Sequence, residues 1–344
     1  MKNILKIPSF ALFVTVVFLT NPVFAQRKSG LRILNKHPIA SNGGWDYVTV
    51  DAGGKKIFVS HGTQVNILST VTGDSVGVIN NTNGVHGIAL VKSLGKGYTS
   101  NGKSNNCTVF DLNTNQQLKT IAVGSNPDAI FYEDYSKKVY VFNGRSSDAS
   151  VIDPATDQVV ATIPIGGKPE TGVSDGKGHV YVNSETTNEV VVINANTYKV
   201  EKRFKIEAGE EPSGLAIDKV TNRLFIGCGG NQTFVVMDAA TGKNLAKFPI
   251  GDCDGVVFDP ALKQAYASNG NGNLSVIKEI SADKFEWIEN ITTEKGARTI
   301  GIDLSTHHLF LPTAKTEPVA PTAENAHPRP KLLPGTFHLI EVGK

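Results

Sequence analysis

Residues 137–166 read KKVYVFNGRSSDASVIDPATDQVVATIPIG, and residues 178–206, GHVYVNSETTNEVVVINANTYKVEKRFKI, repeat the same order of apolar runs and turns one unit later. Each copy holds a run such as KVYVFN, a polar turn, a second run such as SVID, a turn opened by Asp, and a third run. Short period-2 runs rich in Val, Ile, Tyr and Phe between Gly, Asn and Asp read as strands of an antiparallel meander. Working outward, seven segments open such units: WDYVTVD, VHGIALV, PDAIFYE, ETGVSD, PSGLAID, CDGVVFD and RTIGID. Their last residues, Asp51, Val91, Glu133, Asp175, Asp218, Asp259 and Asp303, recur at a step of roughly 42 residues, the period of a propeller blade.

One four-stranded sheet cannot bury both of its faces, whereas seven packed face to face around an axis can. The sequence therefore predicts an all-β chain: a seven-bladed β-propeller with four-stranded antiparallel blades. The seventh unit runs out three strands in, after GTFHLIEVGK, while residues 31–40, LRILNKHPIA, form an unassigned strand ahead of the first unit. That N-terminal strand is expected to complete the last blade and close the ring. Asp111, Asp153 and Asp238, each before a turn, are expected to accept hydrogen bonds from the backbone two residues on.

The motifs KKVYVFN, GHVYVNS, VIDPATDQVVATIPIG and NPDAI resemble the YncE-like family of YVTN β-propeller-repeat proteins, over nearly the whole chain beyond its leader. The resemblance implies an exported seven-bladed propeller and specifies fold far more than activity, because propellers host binding modules, scaffolds and enzymes alike. The chain departs from the plain repeat in its last blade, where residues 313–335 form a Pro-rich insertion whose prolines favour stiff, extended backbone; a lid over the funnel and a plain surface loop are the two readings of it.

The chain has 344 residues, 40% hydrophobic and 19% charged, which is globular composition. Residues 1–25 carry Lys2 and Lys6, an apolar stretch and VFA before a cut after Ala25, the layout of a signal peptide rather than a membrane span. Residues 26–344 then form a single propeller domain in the periplasm or outside the cell. Without Lys2 and Lys6 the 34 basic residues fall to 32, matching the 32 acidic ones. A neutral chain is a poor partner for nucleic acid, which some YncE-like proteins bind, because that affinity comes largely from neutralising phosphates. A closed ring needs no partner for its stability, so a monomer is expected.

Functional residues are expected where loops meet around the axis. Five residues before each anchor stand Asp46, His86, Asp128, Glu170, Ser213, Asp254 and Arg298; the ends of the second strands bring His61, Asn101, Asn143, Ser184, Cys228, Asn269 and Thr313 to the same face. Four carboxylates around one funnel need a cation, raised pKa values or basic partners. Arg298 follows Asp254 and precedes Asp46 once the circle closes, which neutralises that arc. The other arc, Asp128, Glu170 and His86 with His61 nearby, is the candidate holder of a divalent cation. Solvation and mutual pairing of these side chains is the competing reading.

Two functions follow: a binding propeller recognising a small molecule, an envelope polymer or a protein at the funnel, or a metal-dependent hydrolase or lyase, lactonase-like, in the same place. Cys228 and Cys253 should reach one face of neighbouring blades and are the candidate disulfide, buried thiols being the alternative; Cys107 reads as core. GDSVG at 73–77 lacks the strand–elbow–helix context of a hydrolase nucleophile, so Ser75 is not assigned one. His307 and His308 fall in a turn on the opposite face and read as solvated.

Overall fold

The computed structural model describes residues 28–320, 328 and 330–344. Seven four-stranded antiparallel sheets stand around an axis. The third blade shows the plan: Pro127–Glu133 innermost, then Lys138–Asn143, Asp148–Asp153 and Gln158–Pro164 outermost. Its two middle strands are buried on both faces because a neighbouring blade covers each side, which is why they read as unbroken apolar runs. Seven apolar clusters result, one at each junction between neighbouring blades, including the junction of blade seven with blade one.

The closure is as the sequence predicts. Blade seven consists of Gly301–Asp303, His308–Thr313, His338–Gly343 and, as its outermost strand, Arg32–Pro38, which pairs antiparallel from Arg32 opposite Gly343 to Pro38 opposite His338. Glu341 on the third strand fastens this clasp: its carboxylate accepts from Asn35 Nδ2 at 2.8 Å, His37 Nε2 at 2.9 Å and His308 Nδ1 at 2.7 Å. His308 is thus a clasp residue, and His307 bonds Asp259 of blade six at 2.6 Å, so neither is merely solvated; both turn toward carboxylates that only the neighbouring strand or blade brings near.

The repeated acidic anchor has a local cause. Asp218 accepts from Val220 N–H at 2.8 Å, Asp259 from Ala261 N–H at 2.9 Å and Glu133 from Tyr135 N–H at 2.9 Å, so each closes the turn between first and second strands. Val91 cannot accept, and blade two uses a short 3-10 turn, Lys92–Leu94, ended by Gly95 at φ +63°. Asp111, Asp153 and Asp238 cap the turns between third and fourth strands as expected, at 2.9, 3.0 and 3.0 Å. Ser75 opens the outermost strand of blade one.

The described part of the insertion pairs Thr316–Glu317 with Lys331–Leu332 and returns through Phe337, which stacks on Trp45 and His61 of blade one. Its base is therefore anchored beside the funnel; residues 321–327 and 329 lie outside the described residues, as does the leader at 1–25. Among the described residues no helix is long and apolar enough to cross a membrane.

Candidate functional site at the funnel

In blades one to six the innermost strand slips register immediately after it begins, between Trp45 and Val48, Val85 and Ile88, Pro127 and Ile130, Pro169 and Gly172, Pro212 and Leu215, and Cys253 and Gly255. A bulge of this kind re-aims a side chain. The first residues inside these slips are Asp46, His86, Asp128, Glu170, Ser213 and Asp254. Gly87 and Gly214, one position further on, face the neighbouring inner strand so closely that a Cβ would meet Ile130 Cγ2 or Val256 N at 2.7 Å. The corresponding residue of blade one is Tyr47, whose ring packs against the core shared by blades three and four and lines a cavity of about 140 Å³.

The seven predicted residues form a nearly continuous polar chain. His86 Nδ1 bonds Asp46 Oδ2 at 2.6 Å and faces Asp128 Oδ1 at 3.7 Å. Arg298 Nη1 donates to Asp46 Oδ1 at 3.1 Å and to Asp254. Ser213 Oγ donates to Asp254 Oδ1 at 2.6 Å and lies 3.4 Å from Glu170 Oε2, and Lys168 pairs with Glu170 at 2.6 Å and with Glu185. The expected neutralisation of the Asp254–Arg298–Asp46 arc is therefore present. Neighbouring blades hold these groups in place: Ser100 Oγ donates to the Asp128 carbonyl, Asn183 Nδ2 to the Ser213 carbonyl at 3.1 Å, and Thr299 Oγ1 to the Asp46 carbonyl at 2.6 Å.

Burial favours the uncharged carboxyl, and its neighbours decide the outcome at each position. Asp128 is pushed up to about 7 by burial and by the charge of Asp46, against the pull of His86. Glu170 is raised well above the carboxylate range by burial, Asp128 and Glu185, in spite of Lys168. At Asp46 burial acts upward, but Arg298 and His86 together bring it below its ordinary value. Burial would depress His86, yet the hydrogen bond to Asp46 and the charge of Asp128 raise it. The Tyr47 phenol is driven up by burial and by Asp128, Glu170, Asp46 and Asp254, which places it in the field of all four carboxylates.

Four residues of the second expected ring turn away from the funnel. Asn101, Asn143 and Asn269 are buried, and each Nδ2 donates within its own blade: Asn101 to Asn106 and Thr108, both at 2.9 Å; Asn143 to Asp148 at 2.6 Å and Ser150 at 3.0 Å; Asn269 to Asn273 at 2.6 Å and Ser275 at 3.0 Å. They fix the turn into the third strand. His61, also buried, bonds Ser41 and the Gly43 carbonyl, the latter at 2.7 Å, and stacks on Phe337 with centroids 3.7 Å apart, so both ring nitrogens are occupied away from the axis. Burial lowers its pKa.

Two further expectations are corrected. The cluster geometrically fit for a metal ion is Asp46, His86 and Asp128, with ligand atoms within 4.8 Å of one another; Glu170 is drawn away by Lys168. Cys228 and Cys253 are free thiols, as is Cys107. Cys228 packs in the core between blades four and five and Cys253 in that between blades five and six, so the blade-five sheet separates them.

A cavity of about 290 Å³ opens over blades four to six, lined by Lys168, Glu170, Glu185, Glu211, Asp252 and Asp254 together with Ser213 and Arg298. Lys168, Glu185, Glu211 and Asp252 escaped the sequence reading. The same alignment carries their signal: two residues before the funnel position stand Gly44, Gly84, Asn126, Lys168, Glu211, Asp252 and Gly296, charged only in blades four to six. Glu185 stands where blades one, two, three, five and six have glycine.

No family model matches the chain, and a search of curated proteins finds no match. Among solved structures it resembles hydrazine synthase of Kuenenia stuttgartiensis, with a TM-score of 0.69 and 16% identity over 81% of this chain and 95% of that one. It also resembles U3-55K, with a TM-score of 0.73 and 10% identity over 90% of this chain and 98% of the other. At these identities the likeness is one of fold: a seven-bladed β-propeller.

Proposed function

We propose that the chain is an exported binding propeller of the YncE-like type whose funnel face recognises a small molecule, or one unit of an envelope polymer or protein, carrying an amino or guanidinium group. The observation that carries this reading is the cavity over blades four to six, where five carboxylates face two cationic side chains. Its volume of about 290 Å³ lies just below the range for small-molecule sites, roughly 300–1,000 Å³, which suits a compact ligand or a single projecting residue. Lys168 and Arg298 hold Glu170 and Asp254 in place, while Glu211 and Asp252 at the rim make no ion pair among the described residues and remain to meet an incoming cation. Export rests on the leader read at 1–25, and binding on the charged lining of this cavity.

The test is thermal unfolding of the mature chain from Gln26 with diamines, aminosugars and arginine- or lysine-containing peptides, against neutral sugars and carboxylates. A ligand at a hundred times its Kd stabilises by about 2.7 kcal/mol. Cationic compounds are expected to raise the transition and Asp252→Asn with Glu211→Gln to abolish the rise. Stabilisation by anionic compounds alone, or an unchanged response in the double variant, refutes the reading. The second reading, metal-dependent hydrolysis or lysis, is favoured by one observation, the Asp46–His86–Asp128 cluster, and requires first that this cluster take an ion.

A further inference from the structure

We propose that Asp46, His86 and Asp128 form a site for one divalent transition-metal cation at the funnel rim. This goes beyond the binding reading, since the acidic cavity lies over blades four to six and this cluster on blades one to three.

Three observations carry it. The ligand atoms come from the bulged starts of three successive inner strands and lie within 4.8 Å of one another, near enough to share a single ion. Asp128 is only 9% exposed, yet no hydrogen bond reaches its carboxylate among the described residues; its nearest partner is His86 Nδ1 at 3.7 Å. With no donor from another residue on it, this carboxylate is open to an ion shared with the other two ligands. Finally, the cluster already has a supporting shell of the kind that orients metal ligands: Arg298 on Asp46 Oδ1 at 3.1 Å, Ser60 Oγ accepting from Asp46 N–H at 3.1 Å, and Ser100 on the Asp128 carbonyl.

The donor set identifies the class of ion. One imidazole nitrogen with two carboxylates suits borderline cations such as zinc, cobalt or iron, whereas calcium and magnesium prefer all-oxygen shells. The ion would replace the proton that His86 Nδ1 shares with Asp46. Three protein ligands leave coordination positions open on the side where His86 remains 29% exposed to the funnel, so water or a ligand group completes the shell. Glu170 has no part in the site because Lys168 satisfies it.

The experiment uses tag-free mature protein, dialysed against a chelator and titrated with zinc and with cobalt(II) by calorimetry, cobalt also being followed by its visible absorption. One equivalent of each is expected, with cobalt bands that zinc abolishes and that a large excess of calcium leaves in place. His86→Ala and Asp128→Asn should each weaken binding at least about tenfold, the lower end of what even outer-shell changes cost. Glu170→Gln and Asp252→Asn should leave it unchanged, which separates failure here from failure of the acidic cavity. Absence of saturable one-to-one binding by the wild type overturns the proposal whatever the variants do. So does displacement of cobalt by calcium, or a loss in Glu170→Gln equal to that in Asp128→Asn.

Discussion

Replacing Glu341 with Gln tests how the ring is held shut. Its carboxylate is the common acceptor for Asn35 and His37 of the N-terminal strand and His308 of the last blade, and its side chain is 9% exposed, so solvent screens it little. A hydrogen bond to a charged group contributes about 1.5–3 kcal/mol net. Three that share one acceptor are not additive, and an amide keeps one acceptor oxygen while turning an NH2 toward a donor, so the expected loss is about 3 kcal/mol. In a chain of this length that corresponds to a fall in Tm of roughly 5 °C. The pH dependence has a definite sign. Burial acts to raise the Glu341 pKa, but Asn35, His37 and His308 outweigh it and hold it below the ordinary value. The contribution is therefore complete above the unfolded glutamate pKa of about 4.3 and is lost as pH falls from there through the lower folded value. Urea unfolding of wild type and variant at pH 7, 5 and 3 should show a gap that is full at pH 7 and shrinks toward zero at the acid end. A gap under about 0.5 kcal/mol at pH 7, within the scatter of ordinary surface changes, or one that persists unchanged at pH 3, refutes the assignment.

Two further outcomes follow from the corrections to the sequence reading. Asn143→Ala removes donors to Asp148 and Ser150 from a fully buried position and should cost about 1–3 kcal/mol in urea unfolding, with no change in ligand affinity at the funnel; an affinity loss without destabilisation would restore the asparagines to the binding surface. All three cysteines are buried and burial raises every thiol pKa, that of Cys228 to about 12. A thiol reagent should therefore find no reactive group in the native protein and three after denaturation without reductant; a single thiol after denaturation would mean that a bridge forms.

The features legible in the sequence are those that the repeat displays from unit to unit or exposes as a gap. Asp218 and Asp259 recur because each must accept from its own turn, Val139 to Phe142 run apolar because two neighbouring blades cover that strand, and the spare strand at residues 31–40 answers a missing strand at the other end. The first two recur from unit to unit and the third fills a gap in that recurrence, so repetition displays them, and the positions facing the funnel follow from the same alignment. Side chains whose partners stand on another blade are different. Asp46 meets His86 and Arg298, and Ser213 meets Asp254, only because separate blades converge on the axis, where in blades one to six a one-residue bulge turns the polar residue inward. Asn143, placed at an equally polar strand end without that bulge, turns into its own blade. Cys228 and Cys253 come close along the chain of blades yet face opposite sides of one sheet. Strand periodicity fixes which residues alternate, whereas packing of one blade against the next decides which partner each side chain meets, because those partners lie about one repeat apart in the chain and share no local pattern with it.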